Sequence, residues 1–434
     1  MMNFKKIIFS TAIFGPLLGV AQSTFTENGI VYTEDLSDPS KLAVIVVAKK
    51  SPMVMEGLSA YEGDIVIPSK VKHDLDEYAV VGIGQGAFFG CEDLESLIIE
   101  DGPTKIMMNT IVAKPLTKMI FPNTMKSIAG FYPGDLEEVS FGNSLQKVEN
   151  SSFGNIETLE FPNTLKKLEL IYTVAPDINS YRLKNLTLGS NMDYIKMSFS
   201  FFAGEKLDMK GCKLISQSFG FCENLTDLNL GDGVQTIDNS FNNLGNLENL
   251  KIPASCKTIT SSFATTPLLQ ELELGEGIET IHYSFRKTEK LKKLTLPKNV
   301  KNISESFSSL PEIEELILPD GLKEIKDSFR RLYAVKKLTI PSSVKLIDDS
   351  FLQLSALEEL TIDSPDVVLK GGALGAEKLK VLTVSWIVPP TKPSFITGSL
   401  EGTIYVPKGT VEAYIEAWKL ARAVERGNVK VLEK

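Results

Sequence analysis

Residues 291–312 read Leu291-Lys292-Lys293-Leu294-Thr295-Leu296-Pro297-Lys298-Asn299-Val300-Lys301-Asn302-Ile303-Ser304-Glu305-Ser306-Phe307-Ser308-Ser309-Leu310-Pro311-Glu312, and the chain on either side repeats them. Phe219, Phe241, Phe263, Phe285, Phe307, Phe329 and Phe351 follow one another at intervals of 22 residues, and Ser precedes each. Leu228, Leu250, Leu272, Leu294, Leu316, Leu338 and Leu360 keep the same step, as do Ile237, Ile259, Ile281, Ile303, Ile325 and Ile347. Coincidence across three columns is a structural repeat, with the consensus L-x-x-L-x-L-P/G-x-x-V-x-x-I-x-x-S-F-x-x-L.

Alternation in Leu294-Thr295-Leu296 puts both leucines on one side of a short strand, and Pro297 ends it. The segment V-x-x-I-x-x-S-F-x-x-L has 3- and 4-residue steps that also suit an amphipathic helix. Twenty-two residues leave no room for a strand, two turns and a long helix. A tight coil with 3₁₀ or extended pieces is therefore expected. Stacked coils bring strands together about 4.8 Å apart as parallel sheet, and each coil buries its apolar face only against its neighbours. A period of this length built on L-x-x-L-x-L is the mark of a leucine-rich-repeat solenoid. The expected fold class is thus an α/β-type repeat solenoid, mainly β, capped at both ends. Outward from the regular part the strand marker continues through Leu382, and upstream through Leu207, Leu186, Leu159, Val139, Met119 and Leu97. These markers define 14 strands, with the weakest register between Leu159 and Leu186.

The chain has 434 residues, 43% of them apolar, a net charge of −9 and a pI near 5.2. That apolar content excludes a disordered chain, and the acidic balance argues against a general nucleic-acid binder. Length alone suggests about three globular domains, but the repeat replaces them with one elongated domain. Lys5 and Lys6, an apolar run from Ile7 to Val20 and the small-residue site Gly19-Val20-Ala21 read as a secretory signal peptide. The run is shorter than the roughly 20 residues of a spanning helix, so an exported chain cleaved near Ala21, without a transmembrane segment, is expected. The expected division is signal peptide at 1–21, β-rich cap at 22–60, solenoid at 61–385 and C-terminal cap at 386–434. In the last of these, a helix over Thr410–Ala423, with Thr410 as N-cap, forms a lid holding Trp386 and Trp418.

Export would favour disulfides, yet the period places the four cysteines elsewhere. Cys212 and Cys256 fall in the column of Val234, Ile278 and Val300; Cys222 shares a column with Leu244 and Leu310, and Cys91 follows Phe88 likewise. All four are expected as buried free thiols acting as small hydrophobes.

Gly86-Ala87-Phe88-Phe89-Gly90-Cys91, followed by Leu94, resembles the BspA-like leucine-rich-repeat family of bacterial surface proteins. The lead-in Tyr61–Pro68 and Tyr78–Gly84 and the tail Pro389-Pro390, Thr403–Gly409, Tyr414 and Trp418 look like the same family. The resemblance covers residues 60–434 and departs in the second half, where Ser-Phe replaces Ala-Phe and Leu mostly replaces Cys. It implies a repeat scaffold and a role in adhesion to host matrix proteins or other bacteria, to which the polar outward columns of the strands add glycans as expected partners.

Chemistry is sparse in the sequence. His73 and His282 are the only histidines and lie far apart along a linear stack, so each reads as a surface residue. Gly82-Ile83-Gly84-Gln85-Gly86 lacks the Lys-Ser/Thr of a phosphate loop. Neither a metal site nor a cofactor is indicated, and no enzyme is expected. A degenerate site in the irregular 171–205 stretch, built on Tyr172, Asp177 and Tyr181, is the one catalytic alternative. The repeated Ser before Phe is expected to point inward and bond the adjacent coil's backbone.

The outward strand positions carry more information. Glu271, Lys293, Glu315, Lys337 and Glu359 alternate in sign in one column; Asn229, Lys251, Glu273, Thr295, Ile317, Thr339 and Thr361 form the other. Stacked opposite charges stabilise register weakly. The same columns are the candidate recognition face for a protein or glycan: Glu271, Lys293, Thr295, Glu315, Ile317, Lys337 and Thr339. A structural or assembly component of the cell envelope is the second reading.

Overall fold

The computed structural model describes residues 23–37, 42–49, 61–104, 106, 111–112, 115–134, 136–172, 182–390 and 401–434. It is a mainly-β parallel solenoid of about 13 turns, with about 22 residues per turn. All 14 expected strand markers, from Leu97 to Leu382, lie in strands. No helix occupies the repeat among the described residues, in agreement with the tight coil.

Each coil contributes two short strands, one more than the leucine pattern suggests. One is the L-x-L strand, such as Lys293–Thr295; the other is centred on the isoleucine column, such as Asn302–Ser304. The isoleucine strands form the longer sheet: 12 strands run unbroken from Ser127–Ala129 to Val368–Lys370. The leucine strands between Thr158 and Ile317 hydrogen-bond only in twos, for example Leu250 with Leu272 and Leu294 with Leu316. The single leucine sheet expected from the sequence is thus replaced by a broken ladder beside a continuous one. Ile is β-branched and fits the pleat better than Leu, which accounts for the direction of the difference. The weak register is closed on both ladders, by Leu159 with Leu186 and Leu168 with Ile195.

The interior is a pair of ladders. From Phe219 to Phe351 the buried rings stack with centroids 5.0–5.6 Å apart and planes within 4–9° of parallel. The preceding serines, Ser218 to Ser350, are buried beside them. Ser240 Oγ donates to the Asp238 carbonyl at 2.7 Å and accepts the Ser218 backbone N–H at 3.1 Å. Ser262, Ser284, Ser306 and Ser328 repeat this contact coil by coil. The inward hydroxyl expected from the sequence is therefore a continuous hydrogen-bonded file.

The backbone around each ring is unusual for bulky residues. Asn239, Phe241 and Asn243 have φ of 43°, 57° and 61°, and Glu305, Phe307 and Ser309 have 50°, 55° and 63°. Left-handed geometry costs about 1–2 kcal/mol for each such residue. It turns successive N–H groups in opposite directions: Asn239 donates to Thr260 in the next coil, Phe241 to Ser218 in the previous one. Buried backbone groups are thereby satisfied on both sides, which offsets the strain.

Both ends are closed. An N-terminal five-stranded sheet takes Thr24–Glu27, Ile30–Glu34 and Ala43–Val47, then Asp76–Ile83 and Lys70–His73. The first solenoid strand, Gly63–Ile67, lies in sequence between these and pairs with Leu94–Ile99. At the other end the strands Gly402–Val406 and Val429–Glu433 extend the leucine sheet beyond Val381–Val384. The expected single helix is two, Val411–Ala417 and Ala421–Glu425, because Lys419 between them has a φ of 54°. Thr410 makes no capping bond; its hydroxyl donates to the Pro407 carbonyl instead. Trp418 Nε1 donates to Pro390 and Tyr414 to the Trp386 carbonyl, with both tryptophans buried.

Phe285→Ala should cost roughly 3–5 kcal/mol in denaturant unfolding, whereas Phe221→Ala, on a ring 48% exposed, should stay under about 1.5 kcal/mol. Ser284→Ala removes the acceptor of the buried Ser262 N–H; the same measurement should show a loss of about 1–3 kcal/mol.

Candidate binding surface

The seven candidate residues occupy the outer side of four leucine strands: Glu271–Leu274, Lys293–Thr295, Glu315–Ile317 and Lys337–Ile340. Leu294, Leu316 and Leu338 point inward and are buried, so the residues flanking them face solvent. Ile317, 42% exposed, is an aliphatic side chain in an otherwise polar column.

Lys293 pairs with Glu315 at 2.9 Å and Lys337 with Glu359 at 2.8 Å. Lys251 and Glu273 are 2.8 Å apart, and the bond from Glu273 holds the Lys251 ammonium above its usual range. Lys251–Glu273 and Lys293–Glu315 sit inside hydrogen-bonded strand twos, and Lys337–Glu359 lies in the five-stranded sheet that closes the C-terminal end. An unbroken alternation from Glu271 to Glu359 is not what the described residues form; the file is divided because the leucine ladder opens between Glu271–Leu274 and Lys293–Thr295. Each pair is exposed, so solvent screens it and its contribution to stability is small.

Two open grooves lie along this face. One, of about 1010 Å³, is lined by Lys251, Glu273 and Thr295 around Leu272 and Leu274. The other, of about 1060 Å³, is lined by Asn185, Thr187, Asp208, Asp227 and Asn229. Glu271 and Thr295 line the first groove; Lys293, Glu315, Ile317, Lys337 and Thr339 are not part of its wall. The second groove runs from Asn229, the first residue of the outward column, to Asp208, Thr187 and Asn185 upstream, where a repeat with looser steps hid the column.

Exposed aromatic residues are a second feature that the column reading missed. Phe201 and Phe221 stack 5.2 Å apart on the surface, and Tyr283 and Tyr333 are also exposed. The signal was present as Ser-Phe-x-Phe at 198–201 and 218–221, with a second aromatic two residues beyond the core ring.

The histidines fall on different elements. His73, in the N-terminal sheet, stacks on Phe25 at 4.0 Å, and His282, in the isoleucine ladder, meets Tyr283 edge-on at 4.8 Å. No group of three metal-ligating side chains occurs among the described residues. The side chain of Tyr172, and Asp177 and Tyr181 entirely, lie outside the described residues, as does segment 1–22 with its expected cleavage site. No helix among the described residues is long and apolar enough to cross a membrane.

The family model of the BspA-type leucine-rich repeat region matches in overlapping segments from residue 74 to residue 371, well over half of the chain. The chain belongs to the BspA-type leucine-rich repeat family. A leucine-rich repeat protein from Bacteroides ovatus superimposes with a TM-score of 0.52 at 16% identity, over 83% of this chain and 94% of its own. A leucine-rich cell surface protein from Faecalibacterium prausnitzii is 15% identical, with a TM-score of 0.33 over 95% of each chain. The pneumococcal vaccine antigen PcpA is 17% identical, with a TM-score of 0.36 over 95% of this chain and 99% of that one. None of the curated proteins matches.

Within this BspA-type solenoid Cys91, Cys212, Cys222 and Cys256 are all buried thiols outside any disulfide, as their columns require. Burial pushes the thiols of Cys212 and Cys222 up to about 12 and that of Cys256 to about 11. Since thiolate is the reactive form, a thiol at about 12 is ionised roughly once in ten thousand at pH 8. Mass spectrometry should find no maleimide on these thiols in the folded protein at pH 8, and stoichiometric labelling in denaturant.

Proposed function

We propose that this chain is an exported, non-enzymatic binding protein that recognises a protein or glycan through the outward face of its leucine ladder. The observation that carries the reading is the face itself: exposed polar columns running over successive coils, with two long grooves along them. A broad regular surface suits an extended macromolecule better than a small substrate, which is taken in concave, largely apolar pockets. Family membership agrees with a scaffold whose outward residues define its partner. Adhesion to host matrix proteins, glycans or other bacteria is the specific role this reading assigns. Export rests on the basic and apolar segment that ends at Ala21.

The test is an array of matrix proteins and glycans, probed with the mature chain and with an unrelated leucine-rich solenoid as control. Binding should be selective and should fall at least tenfold in a Thr295→Arg, Asn229→Arg double variant, whose new cations crowd both grooves. Absence of any selective ligand, with the protein retained in a large envelope complex on fractionation, would favour the structural role instead. N-terminal sequencing of the exported protein should begin at Gln22.

A further inference from the structure

The corner that follows each buried ring lies apart from the leucine columns and carries its own outward file. In three successive coils that file reads Lys287, Ser309 and Arg331. Their backbones are held in step: Lys287 N–H donates to Ser308, Ser309 to Arg330 and Arg331 to Leu352, at 2.8–2.9 Å. The three side chains and those of Glu289, Pro311 and Tyr333 line a concavity of about 290 Å³.

Neighbouring basic groups are already engaged. Arg286 lies over the Tyr283 ring at 5.9 Å, Arg330 donates to the Asp349 carbonyl and pairs with Asp327, and Lys290 pairs with Glu312. Lys287 and Arg331 form no ion pair among the described residues. Two uncommitted cations thus flank one hydroxyl in a protein whose net charge is −9. Beside them Tyr333, 43% exposed, offers a ring, with Pro311 adjoining.

We propose that this pocket binds one acidic sugar residue of a glycan, a hexuronic acid or a sugar of the same chemistry. The arginine fork and the ammonium take its carboxylate, since Arg matches that group bidentately. Ser309 bonds a ring hydroxyl, and the Tyr333 ring covers the apolar face of the sugar. The volume, near the lower end of small-ligand pockets at roughly 300 Å³, suits a single ring. Glu289, on the lining, opposes the ligand's charge and keeps the affinity down. A peptide carboxylate would use the cations but leave the tyrosine ring without a flat partner. The site stands independently of the leucine face, so either can fail alone.

The mature chain is titrated with tri-galacturonate and with neutral galactotriose, followed by calorimetry in low and high salt. The acidic trimer should bind at least tenfold more tightly than the neutral one, and high salt should weaken it. Arg331→Gln and Lys287→Gln should each reduce that binding at least tenfold, while Glu289→Gln should strengthen it severalfold. All three side chains are exposed, and circular dichroism confirms folding. Equal binding of the two trimers, or unchanged binding in Arg331→Gln, overturns the proposal. Arg331-dependent binding of a glutamate-rich peptide as tight as that of the trimer overturns the sugar assignment.

Discussion

Every other feature depends on one constraint: a 22-residue coil cannot satisfy or bury itself, so each polar and apolar group inside must be completed by the coils next to it. The Ser-Phe pair answers both halves. The ring stacks on its counterparts above and below, while the hydroxyl gives its proton within its own coil and accepts the N–H of the preceding one. Because a hydrogen bond and a ring contact recur at the same height, a slip in register would break both at once. The left-handed φ at Phe and its neighbours belongs to the same device, since it aims N–H groups alternately up and down the stack.

The same stacking sets what the surface can offer. Outward residues separated by 22 positions become close neighbours, so Lys293 meets Glu315 and Lys287 comes to flank Ser309 with Arg331. Where the leucine ladder opens between strand twos, the charged file is divided and grooves lie along it. On the isoleucine ladder, which stays closed, the outward residues also bind one another, as with the Thr260 hydroxyl and Asp238, or Ser216 and Asp238. The open face is accordingly the one we propose for recognition.

Much of this was legible beforehand because period and polarity are properties of the chain. The strand markers from Leu97 to Leu382, the buried thiols at Cys212, Cys222 and Cys256, and the inward serines each follow from which column they occupy. The second strand per coil was not legible: a stretch such as Val300-Lys301-Asn302-Ile303-Ser304 shows no two-residue alternation of apolar side chains, the usual mark of a strand. Nor was the split helix at Lys419, where a local turn overrides a helical pattern. Of the candidate surface, the columns were readable, but not that Glu271 would part from Lys293. That separation depends on how far adjacent coils splay, which no single residue encodes.

By itself the sequence determined the repeat, its inward columns and the 14 strands marked from Leu97 to Leu382, since a 22-residue recurrence of apolar residues admits only a stack of like coils. Tertiary structure alone decided which ladder is continuous, where the grooves lie, and which cations remain uncommitted. Those outcomes depend on competition among many neighbours for the same partner. Arg330 and Arg331 are adjacent in the chain, yet only packing sends the first to Asp327 and Asp349 and leaves the second facing Tyr333.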